Sequence, residues 1–333
     1  MKYLNLIARL CLGFLLCNCA ENQPSQSFKN PLLPDGQDPW VVQDGEMYHY
    51  CYSRGGKVML RSTSDITKLK DAEEKVIWQP EEGKAYSKEL WAPELHKLDG
   101  RWYVYVAADD GRNENHRMYV LKSQTESVDS PFELQGKITD STDKWAIDGT
   151  VFLHEDQYYF IWSGWEGDVN EAQNLYIAMM DSPTSISSER VLISKPEYDW
   201  EKRGSEEGLP TINEGPEILQ KDGHVFLTYS ASGSWSDFYC LGALELTGDD
   251  PMLASSWIKL DQPIFESNEN TTSPGHASFV TVNGKDCILY HAAKSKGAGW
   301  DRYVKLQSFE WLNGTPIFGE PLKDSVETNI FTP

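Results

Sequence analysis

The stretch NEGPEILQKDGHVFLTYSAS, from Asn213 to Ser232, contains the unit from which the fold is built. It opens on an acidic motif around Glu214, passes through the turn Asp222–Gly223 and enters a strand rich in aromatic residues. An Asp-Gly pair between two such runs is a strong signal for a β-hairpin. Two interpretations of Glu214 are open at this point: a solvated residue of a hairpin, or an acid that faces a pocket.

The turn and its aromatic strand occur five times in the chain. The segments are DGEMYHYCYS from Asp44, DGRWYVYVAA from Asp99, EDQYYFIWSG from Glu155, DGHVFLTYSA from Asp222 and NGKDCILYHA from Asn283. An all-strand repeat of about sixty residues is typical of a β-propeller, whose four-stranded blades pack side by side around an axis. We therefore predict an all-β fold, a five-bladed β-propeller over residues 30–333. A jelly roll or sandwich is the alternative, but neither predicts so regular a period.

A short motif precedes each aromatic strand. The motifs are DPWVV at Asp38, WAPEL at Trp91, IDGTVF at Ile147, EGPEIL at Glu214 and PGHASF at Pro274. Because the innermost strand of a blade faces the central channel, these motifs are predicted to meet at one axial pocket. Inner strands should be apolar and an unpaired buried carboxylate is costly, so Asp38, Asp148 and Glu214 indicate a functional site.

Carboxyl groups held apart around a pocket suit the hydrolysis of a glycosidic bond. A protonated acid donates to the leaving oxygen while a carboxylate activates water on the opposite face, the two being roughly 6.5–9.5 Å apart in inverting enzymes. A third carboxylate near the acid raises the pKa of that acid by like-charge repulsion. Glu217 lies in a different strand phase and is predicted to be structural, and Asp109, in a loop, is predicted to be solvated.

The composition narrows the class of partner. The formal net charge of −21 at pH 7 excludes DNA, RNA and anionic lipid surfaces, which are bound by clustered Lys and Arg. It fits a neutral plant-type polysaccharide, and the 12 tryptophans suit one too, since flat indole rings cover the apolar faces of sugars. Trp91, Trp40 and Trp165 are candidates for the pocket wall, with core packing as the alternative for each.

The N-terminus carries the pattern of an export signal. Two basic residues and an apolar run that ends at Leu16, too short to cross a bilayer, lead into a segment similar to a bacterial lipoprotein box. We expect Cys19 to carry the lipid, so that residues 1–19 are signal and anchor and residues 20–29 a polar tether. The protein would then be exported and held to a bacterial membrane through this lipid alone. An ordinary signal peptide is the alternative.

The cysteines after the signal are predicted to be buried free thiols. They are Cys51, Cys240 and Cys287. An odd number without C-x-x-C spacing forms neither a disulfide framework nor a zinc site.

The motifs together resemble those of glycoside hydrolase family 43. The matching segments are DGQDPWVV, WAPELH, WAIDGTVF, NEGPEIL, PGHASF and WDRYVKLQ, which follow the order of the family from about residue 30 onwards. The resemblance implies an inverting hydrolase on a five-bladed propeller. By position, it implies that Asp38 is the general base, that Asp148 tunes and orients the acid, and that Glu214 is the general acid.

The resemblance implies two further binding residues. Arg302, in GWDRYV, matches an arginine that contacts the sugar. His276, in PGHASF, matches an axial histidine that holds a central ion, often calcium, in many members. A hydrogen-bonded core histidine is the alternative for His276, and the reaction itself is expected to need no cofactor beyond such a structural ion.

Within the family, the stretch WAPELHKLDGRWYVYVAADDG resembles the exo-acting α-L-arabinofuranosidases. We therefore expect a monomer that releases terminal α-L-arabinofuranosyl residues from arabinan, arabinoxylan or derived oligosaccharides. A β-xylosidase is the alternative within the family, disfavoured because no further domain pattern follows the fifth repeat. A non-catalytic carbohydrate-binding propeller is the alternative of another class, disfavoured because all three acids are present.

Overall fold

The computed structural model describes residues 27–206, 208–325 and 327–329. The described chain is all-β, as predicted: it contains no α-helix, and its helical turns are short 3-10 helices at Ile66–Asp71, Asn113–Asn115, Asp199–Lys202 and Ala254–Ser256. None of the helices in these ranges is long and apolar enough to cross a membrane. The predicted signal and anchor, with Cys19, lie outside the described residues.

Five antiparallel sheet units follow one another along the chain, flanked by short strands at both ends. After β1 (Ser27–Lys29), the first unit contains β2 (Trp40–Asp44), β3 (Met47–Arg54), β4 (Lys57–Thr63) and β5 (Glu74–Trp78), and the second contains β6 (Lys88–Leu98), β7 (Arg101–Asp109), β8 (Arg117–Ser123) and β9 (Phe132–Ile138). The third unit contains β10 (Ala146–His154), β11 (Gln157–Gly164), β12 (Ala172–Ser182), β13 (Ser185–Ile186) and β14 (Val191–Ser194), and the fourth contains β15 (Thr211–Lys221), β16 (His224–Ala231), β17 (Cys240–Leu246) and β18 (Trp257–Lys259). The fifth unit contains β19 (Thr272–Val282), β20 (Lys285–Ala293) and β21 (Arg302–Ser308), and it is followed by β22 (Glu310–Leu312), β23 (Thr315–Ile317) and β24 (Glu327–Asn329). The third and fourth units also share a short parallel pairing between β12 and β15.

The hairpin turns form where the sequence predicts them. In four of them both central residues have positive φ: Asp99–Gly100 at 50° and 76°, Glu155–Asp156 at 47° and 65°, Asp222–Gly223 at 50° and 85°, and Asn283–Gly284 at 50° and 80°. This is the type I′ geometry, which Asp-Gly and Asn-Gly pairs favour because glycine carries no penalty at positive φ. The turns fix the register of the first two strands of each of these units.

The core lies between the units. The first strand of each unit contacts the first strand of the next, in the order β2, β6, β10, β15 and β19, and β19 contacts β2 again. Five apolar clusters pack between successive units, including one between the fifth and the first. Cys51, Cys240 and Cys287 are free and buried in this core, as predicted.

The N-terminal segment joins the fifth unit to the first. Leu33 and Val304 exchange two backbone hydrogen bonds of 3.0 and 3.2 Å. The strand Ser27–Lys29, assigned to the tether by the sequence, pairs with β24. Phe28 is 8% exposed and packs in the cluster between the fifth and first units. Residues 27–29 therefore belong to the fold rather than to a tether, because burial of Phe28 and strand pairing hold them.

One residue near the start of each first strand has a positive φ. We call these residues the first ring: Asp38 (46°), Ala92 (40°), Asp148 (52°), Gly215 (55°) and His276 (47°). Pairing with the second strand is irregular around them in four units. It is regular at the residues two positions further on, which we call the second ring: Trp40, Glu94, Thr150, Glu217 and Ser278. Positive φ costs a non-glycine residue about 1 kcal/mol or more, and such bulges re-aim side chains beside active sites.

Candidate active site

Gly215 explains why the acid of the fourth unit stands one residue earlier in its strand than the acids of the first and third units. Gly215 takes the positive φ of 55° that Asp38 and Asp148 take in their units, so Glu214 precedes the first ring. A Cβ at Gly215 would lie 3.1 Å from the ring of His276. The NEGP motif therefore needs its glycine both for backbone conformation and for close packing against His276.

His276 and Gly215 connect the three predicted acids. Nδ1 of His276 lies 3.2 Å from Oδ1 of Asp38 and 4.0 Å from Oδ2 of Asp148. Oδ2 of Asp148 accepts a hydrogen bond of 3.0 Å from the backbone N–H of Gly215, the residue after Glu214. The structure thus gathers Asp38, Asp148 and Glu214 into one buried cluster, from motifs in three different units.

Asp38 is held as a carboxylate. Its backbone N–H donates a hydrogen bond of 3.0 Å to Nδ1 of His291, which fixes the strained backbone. Burial opposes ionisation of Asp38, but interactions with His276, with His291 and with the Arg302 guanidinium keep its pKa well below the usual range. Asp38 is consequently ionised over the whole physiological pH range.

The pKa of Glu214 is shifted in the opposite direction, so that this acid favours its protonated form. Burial raises its pKa to about 7, and the charge of Asp38 acts in the same direction, while the hydrogen bond from Tyr239 and the charge of Arg302 oppose the rise. The Tyr239 hydroxyl donates to Oε1 of Glu214 at 2.7 Å. Burial also raises the pKa of Asp148, with further contributions from Glu214 and Asp38. Near neutral pH and below, the cluster therefore combines an ionised Asp38 with a protonated Glu214.

Arg302 lies beside these acids with one donor unused. Its side chain is buried, one terminal N–H donates to the backbone oxygen of Ser234, and its guanidinium carbon lies 5.4 Å from the ring centre of Tyr239. Nε of Arg302 is buried and has no hydrogen-bond partner among the described residues. A buried charged donor without a partner is costly, so this N–H indicates a place for a ligand oxygen.

Trp91 lies in the strand position of the second unit that Glu214 occupies in the fourth, one residue before the first ring. Its half-buried indole stacks on His116, with ring centres 3.9 Å apart. Nδ1 of His116 lies 3.1 Å from Oδ2 of Asp109, and both of these side chains are buried. The prediction that Asp109 is a solvated loop residue was wrong, because Asp109 is the last residue of β7 and its carboxylate is buried against His116.

The other two candidate tryptophans are buried. Trp40 belongs to the second ring, and its Nε1 donates to the backbone oxygen of Leu95 at 2.7 Å, as expected for core packing. Trp165 stacks on Trp145 with ring centres 4.8 Å apart and planes 9° from parallel. Its Nε1 is buried without a partner among the described residues.

Sequence reasoning did not select Tyr239 or His291, although both contact the acids. The rings of Tyr239 and His291 stack with centres 5.6 Å apart. His291 lies two residues before the end of β20, the aromatic strand of the fifth repeat, and Tyr239 immediately precedes β17. The sequence offers one signal that could have selected them: each is a polar aromatic residue near the end of a strand or loop that follows a first-ring motif.

The second ring contains two more acids, Glu94 and Glu217. Oε2 of Glu94 lies 3.0 Å from Nε2 of His96, and the Thr150 hydroxyl lies 3.4 Å from Oε2 of Glu217. Burial raises the pKa of both glutamates, and the charge of Glu217 raises that of Glu94 further. No positively charged Lys or Arg side chain is recorded against this pair in the described residues. A cavity of about 570 Å³ at this end of the first strands is lined in part by His96 and Glu217.

The side chains around His276 do not by themselves form a calcium site. Calcium takes six to eight oxygen ligands. Within the described ranges no group of three or more His, Cys, Asp or Glu side chains is placed to hold a metal ion. Nδ1 of His276 is engaged with Asp38. The contact with Asp38 gives His276 a polar partner within the protein, and the central ion stays a prediction.

Comparisons with known proteins place this arrangement in context. The family model of Glycosyl hydrolases family 43 matches residues 28–316. The chain is 34% identical over 337 aligned residues to the extracellular exo-α-(1->5)-L-arabinofuranosidase of Streptomyces avermitilis, covering 96% of this chain and 69% of that protein. It is 32% identical over 341 aligned residues to α-L-arabinofuranosidase 43 of Humicola insolens, covering 97% and 69%. The crystal structure of an α-L-arabinofuranosidase from Lactobacillus brevis has a TM-score of 0.82 at 29% identity, covering 90% of this chain and 98% of that one.

Proposed function

From the premise that this chain belongs to glycosyl hydrolase family 43, as its motifs predicted, we propose that it is an exo-acting α-L-arabinofuranosidase. It is a glycoside hydrolase, and we propose that as a monomer it releases terminal α-L-arabinofuranosyl residues from arabinan, arabinoxylan or derived oligosaccharides, with inversion. Relatives named for this activity at 32–34% identity support the choice of sugar. A neutral glycan also suits a chain with a net charge of −21.

We further infer that the five sheet units are the blades of a five-bladed β-propeller. The contacts of each first strand with the next, and of β19 with β2, support a closed ring. So do the five apolar clusters between successive units. Such a ring places the first-ring residues around one axis.

The opposite tuning of two acids in one cluster carries the proposal. Asp38 has a lowered pKa and Glu214 a raised one, about 7, although the two acids lie close enough for the charge of Asp38 to raise the pKa of Glu214. Environments that push two carboxyl groups apart assign the base and the acid. Asp38 is thus the general base and Glu214 the general acid. Asp148 acts through Glu214, because it accepts a hydrogen bond from the backbone N–H of Gly215, the residue after the acid, and is coupled to Glu214, whose charge raises the pKa of Asp148.

The reaction follows from these roles. Glu214 gives its proton to the oxygen of the departing sugar while the glycosidic bond breaks. Asp38 takes a proton from a water molecule, whose oxygen attacks the anomeric carbon from the opposite face. The unused N–H of Arg302 donates to a sugar hydroxyl and holds the ring in place. Solvent then returns a proton to Glu214 and removes one from Asp38.

Product stereochemistry tests this function. The protein is mixed with α-1,5-arabinotriose and the first anomer released is read by proton NMR; inversion gives β-L-arabinofuranose. The matched substrate control is 4-nitrophenyl β-D-xylopyranoside, on which we expect little activity. Release of the α-anomer first, or faster cleavage of the xyloside, would contradict the proposal.

We propose that hydrolysis requires no metal or other cofactor. The charges of Asp38, Glu214 and Arg302 suffice for acid–base catalysis. Dialysis of the protein against EDTA should leave the rate of arabinotriose hydrolysis unchanged. A loss of activity that calcium restores would show that an ion is needed at the site of His276 or elsewhere.

We propose that the protein is exported and that Cys19 carries a lipid anchor. Relatives named as extracellular support export, and the lipoprotein-like sequence before Cys19 supports the anchor. Expression in a bacterium with radioactive palmitate should label the wild-type chain and a Cys17→Ala variant, but not Cys19→Ala. Label that persists in Cys19→Ala would place the lipid elsewhere.

A further inference from the structure

Trp300 is an exposed indole beside the active site. It is 62% exposed and lies in the loop between β20 and β21, two residues before Arg302. A tryptophan with so much of its surface in water forgoes the apolar burial that usually stabilises this residue, and exposed aromatic surface often marks a binding site.

The loop that carries Trp300 is held in place by polar contacts. The backbone N–H of Lys294 donates to the oxygen of Asp301 at 3.0 Å, and Nζ of Lys294 lies 2.7 Å from Oδ1 of Asp301 and 2.5 Å from Oδ1 of Asp35. The backbone N–H of Gly297 donates to Oδ1 of Asp237 at 2.8 Å. A ring presented on a fixed loop loses little conformational entropy when a ligand binds.

Ser234 connects Trp300 to the catalytic machinery. Nε1 of Trp300 donates to the Ser234 hydroxyl at 3.4 Å, and Arg302 donates to the backbone oxygen of Ser234. Ser234 lies in the loop between β16 and β17, which also carries Tyr239, the donor to Glu214. Through Ser234, Trp300 is therefore linked to Arg302 and to the loop that carries Tyr239.

A groove of about 520 Å³ lies beside Trp300, which forms part of its wall. It is also lined by Arg302 and by Gln37, the residue before Asp38, and by Tyr52, Arg54 and charged residues of both signs. The volume lies within the range of ligand sites. Rings and charged groups of mixed sign suit a neutral, hydroxyl-rich ligand rather than an anion or a cation.

We propose that Trp300 and this groove bind the sugar units on the leaving-group side of the scissile bond. The substrate would accordingly be the end of an arabinofuranose chain, with the penultimate sugar stacked on the Trp300 indole. This inference rests on the proposed arabinofuranosidase function and adds the site that holds the remainder of the chain.

The test is a ratio of specificities. We compare kcat/KM for α-1,5-arabinotriose with kcat/KM for methyl α-L-arabinofuranoside, whose leaving group is a single carbon and cannot reach the indole. Trp300→Ala should lower the ratio by roughly tenfold, equivalent to about 1.4 kcal/mol. Trp300→Phe should recover part of it. The matched control is Leu312→Ala, since Leu312 is 63% exposed and lies on a different hairpin.

A ratio unchanged in Trp300→Ala overturns the inference, whether both activities fall together or neither falls, because the residue would then act on both substrates alike or on neither. If the wild type cleaves neither substrate, the proposed function fails instead. The groove is then tested by calorimetry of arabinotriose binding to the wild type and to Trp300→Ala. Equal Kd values would overturn it, and a Kd about tenfold weaker in the variant would support it.

Discussion

Two sets of acids lie on or next to the first strands of the units, and only one has the properties of a catalytic site. Asp38 and Asp148 of the first ring, with Glu214, stand two to three residues before Glu94 and Glu217 of the second ring, which is roughly 7–10 Å along a strand. Both sets carry carboxyl groups at positions where a packed sheet favours apolar residues.

The difference lies in what surrounds the acids. The first set has Arg302 and two histidines nearby, and its members differ, one pKa being lowered and another raised. In the second set, Glu94 and Glu217 both have raised pKa values, because burial is opposed only by Thr150. Burial of carboxyl groups alone therefore does not make a catalytic pair; a cation placed against one of them does.

The largest expected effect comes from neutralising the acids of the first set, with one acid of the second set as the control. Glu214→Gln and Asp38→Asn should each lower kcat for arabinotriose by about 10²–10⁴, the usual contribution of a general acid or base. Glu217→Gln, a matched change on the same strand, should retain most of the activity. Steady-state kinetics of the three variants decide the point, and equal losses at Glu214 and Glu217 would remove the distinction between the two sets.

The pH dependence of kcat/KM tests the pKa values of the acids in the first set. Activity requires an ionised Asp38 and a protonated Glu214. Because the pKa of Asp38 is lowered, kcat/KM should persist to a pH well below about 4, the usual pKa of an aspartate, and it should fall near pH 7, where Glu214 loses its proton. The Tyr239 hydrogen bond stabilises the ionised form of Glu214. Tyr239→Phe should therefore raise the pKa of Glu214 and move the alkaline limb to higher pH. A limb that moves to lower pH, or does not move, contradicts the assigned acid.

The pH dependence of folding stability tests the second set of acids. The pKa of Glu94 is raised in the folded state, so the unfolded chain ionises first, from about pH 4.3. As the pH rises above that value, the unfolded chain releases the proton that the folded chain keeps. The free energy of unfolding therefore falls with pH until the folded pKa is passed. Glu94→Gln cannot ionise and keeps an oxygen for His96. Its Tm should exceed that of the wild type by about 2 °C or more at pH 8, with a smaller gain at pH 5. Calorimetric scans at both pH values measure this, and a gain larger at pH 5 has the wrong sign.

The smallest effect is expected at Ser278, the member of the second ring whose hydroxyl has no partner among the described residues. Ser278→Ala removes a buried group that makes no hydrogen bond, so its Tm should equal or exceed that of the wild type. Ser230→Ala is the control, since the Ser230 hydroxyl accepts the backbone N–H of His276 at 2.7 Å. That change should cost about 1 kcal/mol. Similar losses in both variants would mean that Ser278 has a polar partner after all.

The repeat and the three acids could be predicted from the sequence because their signals are local. Asp-Gly and Asn-Gly turns determine hairpin geometry within a few residues, as at Asp99 and Asp222. The acids stand in motifs of fixed spacing before those hairpins, so one strand pattern carried Asp38, Asp148 and Glu214 to the same end of the first strands.

The residues that tune those acids could not be predicted in the same way. His291 is 253 residues from Asp38, and Tyr239 meets Glu214 from a loop beyond the next strand. In sequence, the aromatic strand that contains His291 looks like strands that only fill the core. Asp109 was misplaced for a related reason: a run of polar residues does not reveal that its first member ends β7 with its carboxylate against His116.

The most direct test of the account compares leaving groups in Glu214→Gln. Dinitrophenolate departs without a proton, whereas a sugar alkoxide needs one. If Glu214 is the acid, the variant should lose about 10²-fold more activity on arabinotriose than on 2,4-dinitrophenyl α-L-arabinofuranoside, each relative to the wild type. Equal losses on the two substrates would contradict the assignment and leave the buried Glu214 without its catalytic role.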